Sequence, residues 1–302
     1  MSQVATPELQ QWIVEQARAG CKPEAVLAAM TQAGWQEDVA IAAMEAAMGE
    51  HVAGLQRTPA ALTVTATRAT TQREGAAQQP SSQAKPMPEP RLAGHPRQVD
   101  AGDRVVDVLV NLRSPRVVVF GNLLSAEECD ELIAAATPHL KRSLTVETQT
   151  GGEALNDART SDGMFFRRGE NAIVSRIEAR IARLLDWPLE NGEGLQVLHY
   201  RPGAEYKPHY DYFNPDEPGT PSILKRGGQR VGTLVMYLNE PERGGGTTFP
   251  DVGLEVAPQR GNAVFFAYDK PHPSTKTLHG GAPVIAGDKW VATKWLREQE
   301  FK

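Results

Sequence analysis

A histidine and an aspartate stand two residues apart in the segment KPHYDYFNPDEPG, residues 207–219. Side chains of a β-strand alternate between its two faces, so His209 and Asp211 are predicted to project to the same side and reach one metal ion. This spacing alone is weak support, because a surface histidine beside an aspartate is common. It gains weight from His279, which precedes a predicted strand. Two histidines and one carboxylate leave half of an octahedron open, as is typical of non-heme Fe(II) oxygenases.

A lysine follows the third candidate ligand at a distance that suits a cosubstrate. Iron sites of this kind need an electron donor, most commonly 2-oxoglutarate, whose far carboxylate requires a buried cation. Lys289 lies ten residues after His279, beyond a predicted two-residue hairpin turn at 287–288 that would return the chain to the same sheet. An inward lysine is costly unless it meets an anion, whereas on an edge strand Lys289 would point to solvent. The residues predicted to share its face are Val291, Thr293 and Trp295.

Other ligands and another metal are alternatives to this assignment. His272 is a rival third ligand, but prolines on both sides disfavour a strand position, and His199 is predicted to be a packed core histidine. Zinc also binds two histidines and a carboxylate, which would make the chain a hydrolase. No glutamate is marked out as a general base, however, and zinc would leave Lys289 unexplained.

The elements that must position these residues begin near residue 98. The run PRVVVFGNLL predicts a buried strand, Ser125 and Glu128 predict a capping box, and residues 170–185 predict a second helix with isoleucines on one face. After Gly194, seven short strands are predicted: LQVLHY, RVGTLVMYLN, GTTFP, LEVAP, NAVFFAYD, APVIA and KWVATKWL. Two helices followed by these strands favour an α+β domain closed into a sandwich or barrel, and a jelly roll fits the count.

The N-terminal part has a different character. Residues 1–50 are predicted to form three short helices, with Thr6 and Pro7 typical of a helix start and the second helix at 23–33. The segment MTQAGWQEDVAIAAMEAA resembles the small ubiquitin-associated-like three-helix module, which would dock an unknown protein. The alternative is a helical appendage packed around Trp35. Residues 51–97 are rich in Ala, Thr, Gln, Ser and Pro and predict a flexible linker.

Composition and charge limit the classes of partner. The 302 residues carry a formal net charge of −5 and no run of lysine and arginine, so nucleic acid and membrane surfaces are poor candidates. Two cysteines, Cys21 and Cys129, are too few for a disulfide framework or a thiolate metal site. The N-terminus lacks the pattern of a secretion signal, and a cytoplasmic protein is expected.

Four ordered blocks identify a family. The blocks LQVLHYRPGAEYKPHYDYF, GGQRVGTLVMYLNEPERGGGTTFP, GNAVFFAYD and LHGGAPVIAGDKWVATKWLRE closely resemble the catalytic domain of prolyl 4-hydroxylases, members of the Fe(II)/2-oxoglutarate dioxygenases. The resemblance covers most of residues 98–302. It implies a double-stranded β-helix, or jelly roll, with helices packed outside it. By the same resemblance His209, Asp211 and His279 are iron ligands and Lys289 binds 2-oxoglutarate.

The resemblance also implies further site residues and a reaction. Tyr200 and Thr247 match positions that hold the cosubstrate carboxylate. The positions that match the family's surroundings of the substrate proline are Tyr206, Arg230, Glu193 and Trp295. Arg297 is an alternative cation for the cosubstrate, as in the nucleic-acid demethylase branch of the superfamily. Two loops, at about 145–159 and 214–229, resemble the covers of a peptide groove.

The expected reaction is the 4-hydroxylation of prolyl residues in a peptide or protein. It consumes O₂ and 2-oxoglutarate, uses Fe(II), releases succinate and CO₂, and employs ascorbate as a reductant in this family. The alternatives are a hydroxylase of a free amino acid or other small molecule and, less favoured, a non-catalytic jelly-roll binding module. The oligomeric state does not follow from the sequence.

Overall fold

The structure, a computed structural model, describes residues 13, 23–32, 35–36, 39–41, 43–44, 87–146, 152–155 and 158–302. The chain divides into two units, Met1–Gln79 and Pro80–Lys302. No helix within the described ranges is both long and apolar enough to cross a membrane.

In the first unit, helix α1 (Pro23–Gln32) begins at the predicted proline. Its Val26 and Met30 are buried against Ile13, Ala40 and Ala43. The remainder of the predicted first and third helices lies mostly outside the described residues. The three-helix module, with its likeness to the ubiquitin-associated fold, therefore stays a prediction.

The end of the predicted linker belongs to the second unit. The Glu89 amide donates to the Leu185 carbonyl at 2.9 Å, and the Glu89 carboxylate pairs with Arg116 at 2.5 Å. Pro88 is buried. Residues 87–97 thus contact the unit that the prediction began at residue 98, and residues 51–86 lie outside the described part.

The second unit is mostly β-sheet. Its strands are β1 (Gln98–Asp100), β2 (Val105–Leu112), β3 (Arg116–Gly121), β4 (Lys141–Arg142), β5 (Leu144–Val146), β6 (Glu153–Leu155), β7 (Asp162–Phe166), β8 (Leu195–Tyr200), β9 (Tyr206–His209), β10 (Arg230–Tyr237), β11 (Arg243–Gly244), β12 (Thr247–Phe249), β13 (Leu254–Val256), β14 (Ala263–Ala267), β15 (His279–Gly281), β16 (Val284–Ala286) and β17 (Lys289–Arg297). Its helices are α2 (Ala126–Ala136), α3 (Ala172–Leu184) and α4 (Thr220–Leu224), with 3-10 turns at Thr137–His139, Leu189–Asn191, Pro250–Val252 and Pro273–Thr275.

Two antiparallel sheets form the jelly roll. The major sheet has the order β1-β2-β3-β14-β10-β17-β8-β7-β4, and the minor sheet has the order β13-β12-β15-β9. Two-stranded pairs, β11-β16 and β5-β6, complete the described strands. The mixed, mostly β architecture with a jelly roll and flanking helices agrees with the predicted class.

The central strands of the major sheet are buried on both faces. Along β3, Val118 and Phe120 enter the core beneath helix α3, whereas Val117 and Val119 enter a second core that contains residues of the minor sheet. Burial of one such side chain contributes about 1.5–3 kcal/mol. A strand with two apolar faces reads as a continuous hydrophobic run, which is why RVVVFG was recognisable in the sequence.

The two long helices cover one face of the major sheet. Ser125 and Glu128 form the predicted capping box at the start of α2, and Asn171 caps α3 by accepting from the Val174 amide. Arg180 of α3 donates to the Glu128 carboxylate at 2.7 Å. This ion pair fixes α3 beside α2 and so fixes the helical layer behind the site.

The turn at 287–288 differs from the prediction. The seven predicted strands are present, but β16 pairs with β11, and β17 lies between β10 and β8. Both edges of β17 are therefore occupied, and the turn carries the chain from one sheet to another. Gly287 takes a φ of 74°, which a side chain would strain. The strands β1, β2, β4–β7, β11 and β15 were not predicted, whereas β9 contains the predicted strand position of His209.

Candidate active site

Pairing of two short strands brings the candidate metal ligands together. His279 of β15 is the register partner of His209, the last residue of β9. Asp211 lies in the bend just beyond β9, rather than in the strand as predicted. The Nε2 atoms of His209 and His279 each lie 3.5 Å from an oxygen of the Asp211 carboxylate. The three side chains offer ligand atoms within 4.8 Å of one another.

Backbone carbonyls orient both imidazole rings. Nδ1 of His209 lies 2.8 Å from the Lys207 carbonyl oxygen, and Nδ1 of His279 lies 3.0 Å from that of Thr277. A carbonyl only accepts, so each Nδ1 carries a proton, and each Nε2 faces the Asp211 carboxylate. Burial lowers the pKa of His279 to about 4, although Asp211 opposes the shift. The His279 ring is therefore neutral at physiological pH, as metal binding requires.

Two hydroxyl groups fix the carboxylate. Thr233 Oγ1 donates to Asp211 Oδ2 at 2.7 Å, and the Tyr268 hydroxyl lies 3.1 Å from Thr233 Oγ1. Because the one Thr233 proton goes to Asp211, Tyr268 donates to Thr233. Burial raises the pKa of Tyr268 well above its usual value, which keeps this donor protonated. Burial alone would raise the pKa of Asp211, but His279, His209 and Arg230 outweigh burial and hold it well below its usual value.

Aromatic rings enclose the histidines. The Tyr206 ring stacks on His209 with centroids 3.6 Å apart, and the Phe266 ring lies 4.4 Å from that of His279. These rings keep water from one side of the site. Sequence reasoning did not find Thr233, Tyr268 or Phe266. The signal for Thr233 was a hydroxyl within an otherwise apolar strand.

Behind the ligands lies an inner pocket of about 50 Å³ between the two sheets. Lys289 lines it and is only 4% exposed, and its ammonium has no hydrogen bond to any residue that the structure describes. Burial lowers the pKa of Lys289 to about 8, with Glu255 opposing. A buried cation without an anion is costly, so the inner pocket requires an anionic group of a ligand.

Tyr200 and Thr247 line the same pocket, as the resemblance implies. Lys289 Nζ lies 5.3 Å from the centre of the Tyr200 ring, and the two residues are register partners on β17 and β8. The Tyr237 hydroxyl donates to Thr247 Oγ1 at 2.7 Å. The Thr247 proton thus remains available to an acceptor in the pocket. Tyr237 is a further residue that sequence reasoning missed.

The donor set fits iron and 2-oxoglutarate. Two imidazoles and one carboxylate are the ligands of non-heme Fe(II) oxygenases. Lys289 and Thr247 offer a cation and a hydroxyl donor to a carboxylate at the closed end of the pocket. When bound, the iron and cosubstrate supply the oxidising chemistry, while these side chains hold and orient them.

On the other side of the ligands an outer cleft of about 830 Å³ opens. His209, Asp211, Tyr206 and Trp295 line both spaces, so the metal ligands stand where the two meet. The segment after Asp211 contributes Ser222, Ile223 and Arg226 to the cleft, and the β5–β6 hairpin contributes Gly152. Both predicted covering loops therefore border the cleft.

A buried charged cluster forms one wall of the outer cleft. Arg230 donates to both Glu193 oxygens at 2.7 and 2.9 Å, and Arg297 donates to Oε1 at 2.6 Å. Burial would raise the pKa of Glu193, but the two guanidinium groups hold it below its usual value. Arg230 lies 4.1 Å over the Trp295 ring. Trp295 Nε1 is buried and has no hydrogen-bond partner within the described ranges.

The positions of His272, His199 and Arg297 decide between the alternative ligands and cations that the sequence left open. His272 is exposed, and its Nδ1 accepts from the Ser274 amide at 3.0 Å, so it caps a turn. His199 stacks on Trp290 with centroids 4.2 Å apart and lines neither space. Arg297 is committed to Glu193 and does not line the inner pocket. Lys289 and Arg159 are the cations that line that pocket, and Lys289 is the one that the sequence proposed for it.

Comparison with known proteins agrees with this geometry. Residues 195–297 match the sequence profile of the 2OG-Fe(II) oxygenase superfamily. Prolyl 4-hydroxylase 5 of Arabidopsis thaliana is 43% identical over 222 residues, which cover 67% of this chain and 74% of that protein. Probable prolyl 4-hydroxylase 3 of the same plant is 43% identical over 222 residues, covering 67% and 75%.

Solved structures similar to the chain include the viral collagen prolyl hydroxylase of Paramecium Bursaria Chlorella virus-1 in complex with 2OG. It is 30% identical, covers 60% of this chain and 95% of its own, and gives a TM-score of 0.47. From the curated relatives and the matched residues, the chain belongs to the prolyl 4-hydroxylase family of 2OG-Fe(II) oxygenases and is a 2-oxoglutarate-dependent dioxygenase.

Proposed function

We propose that the enzyme hydroxylates the 4-position of prolyl residues within a peptide or protein. The observation that carries this proposal is the outer cleft of about 830 Å³, which opens directly onto His209 and Asp211. A free amino acid would fill only a small part of such a space. An extended peptide would fill its length and present one side chain to the metal ligands.

The lining of the cleft suits a proline-containing chain. Its aromatic residues are Phe165, Phe166, Tyr206, Tyr210, Tyr212, Phe213, Trp295 and Phe301. Proline-rich segments prefer the polyproline II conformation and bind to grooves lined by aromatic rings, at low cost in conformational entropy. The relatives' names, prolyl 4-hydroxylases, support the same substrate class.

We assign the following roles to the side chains around the bound proline. Tyr206 and Trp295 flank the entrance from the cleft to the inner pocket and hold the ring of the proline. Trp295 Nε1, which lacks a partner among the described residues, donates to a peptide carbonyl of the substrate. Glu193 holds Arg230 over the Trp295 ring and so fixes the position of both.

The remaining residues prepare the reaction. His209, Asp211 and His279 would hold Fe(II), and Lys289 with Thr247 and Tyr200 would hold the far carboxylate of 2-oxoglutarate. Succinate and CO₂ are the expected coproducts. We further propose ascorbate as the reductant and the segments at 145–159 and 214–229 as covers that close over the peptide.

The domain organisation remains part of this proposal. We place a helical module at 1–50 that docks an unknown protein, a linker that ends before residue 87, and the dioxygenase domain after it. A cytoplasmic location is proposed from the two cysteines, which are too few for a disulfide framework. No nucleic-acid or membrane partner is proposed, since the net charge is −5.

Mass spectrometry of peptide products tests the central proposal. Proline-containing peptides and free proline are incubated separately with Fe(II), 2-oxoglutarate, ascorbate and O₂. A gain of one oxygen atom on a peptidyl proline, absent in His279→Ala, is expected, and the position on the ring is assigned by comparison with 4-hydroxyproline. Oxidation of free proline with no change in any peptide would favour the small-molecule alternative and refute the proposal.

A further inference from the structure

Arginines outnumber carboxylates in the lining of the outer cleft, whereas acidic residues outnumber basic residues in the chain as a whole. Its described lining residues include the arginines Arg159, Arg167, Arg168, Arg226, Arg230 and Arg297. The carboxylates that line it within the described ranges are Glu193 and Asp211. The chain carries a formal net charge of −5, so the cleft and the whole molecule differ in sign.

Both carboxylates of the cleft are already committed. Glu193 is shared by two guanidinium groups, Arg230 and Arg297, which leaves a surplus of one positive charge in that cluster. Asp211 is a candidate iron ligand. Neither carboxylate is therefore free to neutralise the arginines nearer the rim.

The rim arginines come from two separate segments. Arg167 and Arg168 directly follow strand β7, and Arg226 follows helix α4. Arg168 Nη1 donates to the carbonyl oxygens of Glu190 and Gly192, and Arg226 lies 4.7 Å over the Phe301 ring and donates to the main-chain oxygen of Lys302. In the part of the chain that the structure describes, none of the three pairs with a side-chain carboxylate.

Charge of one sign along a partly enclosed cleft attracts ligands of the opposite sign. We propose that the cleft selects peptide segments in which the target proline is flanked by aspartate or glutamate. This inference rests on the proposed function, because it names the class of peptide that the same cleft accepts. The rim arginines contact the flanking carboxylates, while the aromatic residues contact the proline.

An acidic peptide fits these observations better than a nucleic acid does. A nucleic acid carries a charge at every phosphate and would extend beyond the cleft over a molecule of net negative charge. A peptide with a few carboxylates near one proline places its charges beside the rim alone. The test therefore includes an oligonucleotide.

Binding of matched peptides tests the inference apart from turnover. Three labelled peptides share one proline core and carry glutamate, glutamine or lysine at the same flanking positions. Their dissociation constants are measured by fluorescence anisotropy under nitrogen, with the full chain loaded with Fe(II) and 2-oxoglutarate, at low and high salt. A labelled single-stranded oligonucleotide is measured in parallel.

The variant Arg167→Glu/Arg226→Glu reverses one exposed charge from each rim segment. The control Arg97→Glu/Arg113→Glu makes the same change in net charge at exposed positions outside the cleft. Circular dichroism and thermal unfolding check that both variants fold. Since Arg226 also contacts Phe301, Arg167→Gln alone is included as a milder change.

We expect the glutamate peptide to bind most tightly, the glutamine peptide less tightly and the lysine peptide most weakly. These differences should become smaller at high salt. Loss of one arginine should weaken the glutamate peptide roughly two- to fivefold, as for a partly exposed ion pair. The double reversal should remove the preference, and the control should keep it. The inference would be overturned if the three peptides bound equally or in the reverse order, or if none of them bound. It would also be overturned if Arg167→Glu/Arg226→Glu kept the preference, or if the oligonucleotide bound more tightly than the peptides. Charge-dependent binding without any peptidyl hydroxylation would instead refute the proposed function alone.

Discussion

The inner pocket and the outer cleft share five lining residues but differ in construction. The inner pocket is small, lies between two sheets, and is lined mainly by residues of β8, β10, β12, β15 and β17. The outer cleft is over ten times larger and takes many of its residues from segments between strands, such as 210–213 and 222–226. Strand pairing thus fixes most of the candidate metal and cosubstrate ligands, whereas connecting segments line much of the space through which a substrate would enter.

The inner pocket and the outer cleft also differ in how their buried cations are paired. In the inner pocket, Lys289 has no hydrogen-bond partner among the described residues, only the nearby charge of Glu255, and so is ready for a ligand carboxylate. In the cleft, Arg230 and Arg297 are paired with Glu193 before any ligand arrives. The first arrangement supplies binding energy to a cosubstrate, and the second maintains the shape of a wall. Substitutions should separate these two uses.

The largest effect is expected from loss of a metal ligand. His279→Ala removes one of three ligands at the junction and should reduce 2-oxoglutarate turnover by more than the roughly 10–100-fold cost of losing a supporting residue. Succinate formation measures it. His272→Ala, which removes an exposed histidine outside both spaces, is the control and should keep full turnover. Substantial turnover in His279→Ala would remove that residue from the metal site.

Breaking the wall of the cleft should mainly reduce stability. Glu193→Gln leaves Arg230 and Arg297 buried without a carboxylate, and we expect the free energy of unfolding to fall by about 3–5 kcal/mol. Chemical denaturation measures the change. Glu300→Gln, which breaks a surface ion pair with Lys302, should have little effect. Equal stability of wild type and Glu193→Gln would show that the cluster contributes nothing to the wall.

Lys289→Met should have opposite effects on binding and on stability. Loss of a hydrogen-bonded charge costs about 1.5–3 kcal/mol, so the KM for 2-oxoglutarate should rise roughly 10–150-fold. The ligand-free protein should instead become more stable by about 1–3 kcal/mol, because a buried unpaired charge has been removed. Lys270→Met, at an exposed site, is the control. A normal KM would show that the cosubstrate carboxylate is held elsewhere.

The pH dependence sharpens the same prediction. The pKa of Lys289 is lowered from 10.5 to about 8, so the unfolded chain binds more protons between these values and stability rises with pH there. The stability gain of Lys289→Met should be complete below pH 8 and shrink as the pH rises towards 10.5. The affinity of the wild type for 2-oxoglutarate should fall above pH 8, because the uncharged amine no longer pairs with the carboxylate. The absence of any such fall would contradict a role for the Lys289 charge.

The smallest effect is expected from residues that support a ligand. Thr233→Val keeps the shape of the side chain but removes the donor to Asp211, and Fe(II) affinity should fall roughly 10–100-fold. Tyr268→Phe removes a donor that is one hydrogen bond further from Asp211, so its effect on Fe(II) affinity should be smaller. Anaerobic titration with Fe(II) measures both, with Thr137→Val at the end of α2 as the control. A larger effect of Tyr268→Phe than of Thr233→Val would contradict the arrangement in which Tyr268 donates to Thr233 and Thr233 donates to Asp211.

The sequence predicted the inner pocket better than the cleft. Strand alternation correctly placed Lys289, Val291, Thr293 and Trp295 on one face, since β17 is regular over its length and all four line the inner pocket. The capping box of Ser125 and Glu128 was also predicted correctly, because it depends only on residues that are close in the sequence. The candidate iron ligands were named from residue type and family pattern, and the structure brings all three together, although Asp211 lies beyond its strand.

The errors arose where the answer depends on distant parts of the chain. The turn at 287–288 has the length of a hairpin, and only the pairing of β17 with β8 and β10 shows that it joins two sheets. Thr233 and Tyr237 alternate with apolar residues along β10, but their use requires the register of β10 against β17. The charge of the cleft depends on arginines from three segments, which no local pattern brings together.

Cosubstrate binding under nitrogen tests the central claim most directly, namely that His209, Asp211 and His279 hold Fe(II) beside an anion site at Lys289. Isothermal calorimetry of 2-oxoglutarate into the reduced protein, with and without Fe(II), measures it in the wild type and in Lys289→Met. We expect saturable binding at one molecule per chain that requires Fe(II) and is weakened in Lys289→Met. Binding that is independent of Fe(II), or no binding at all, would contradict the account.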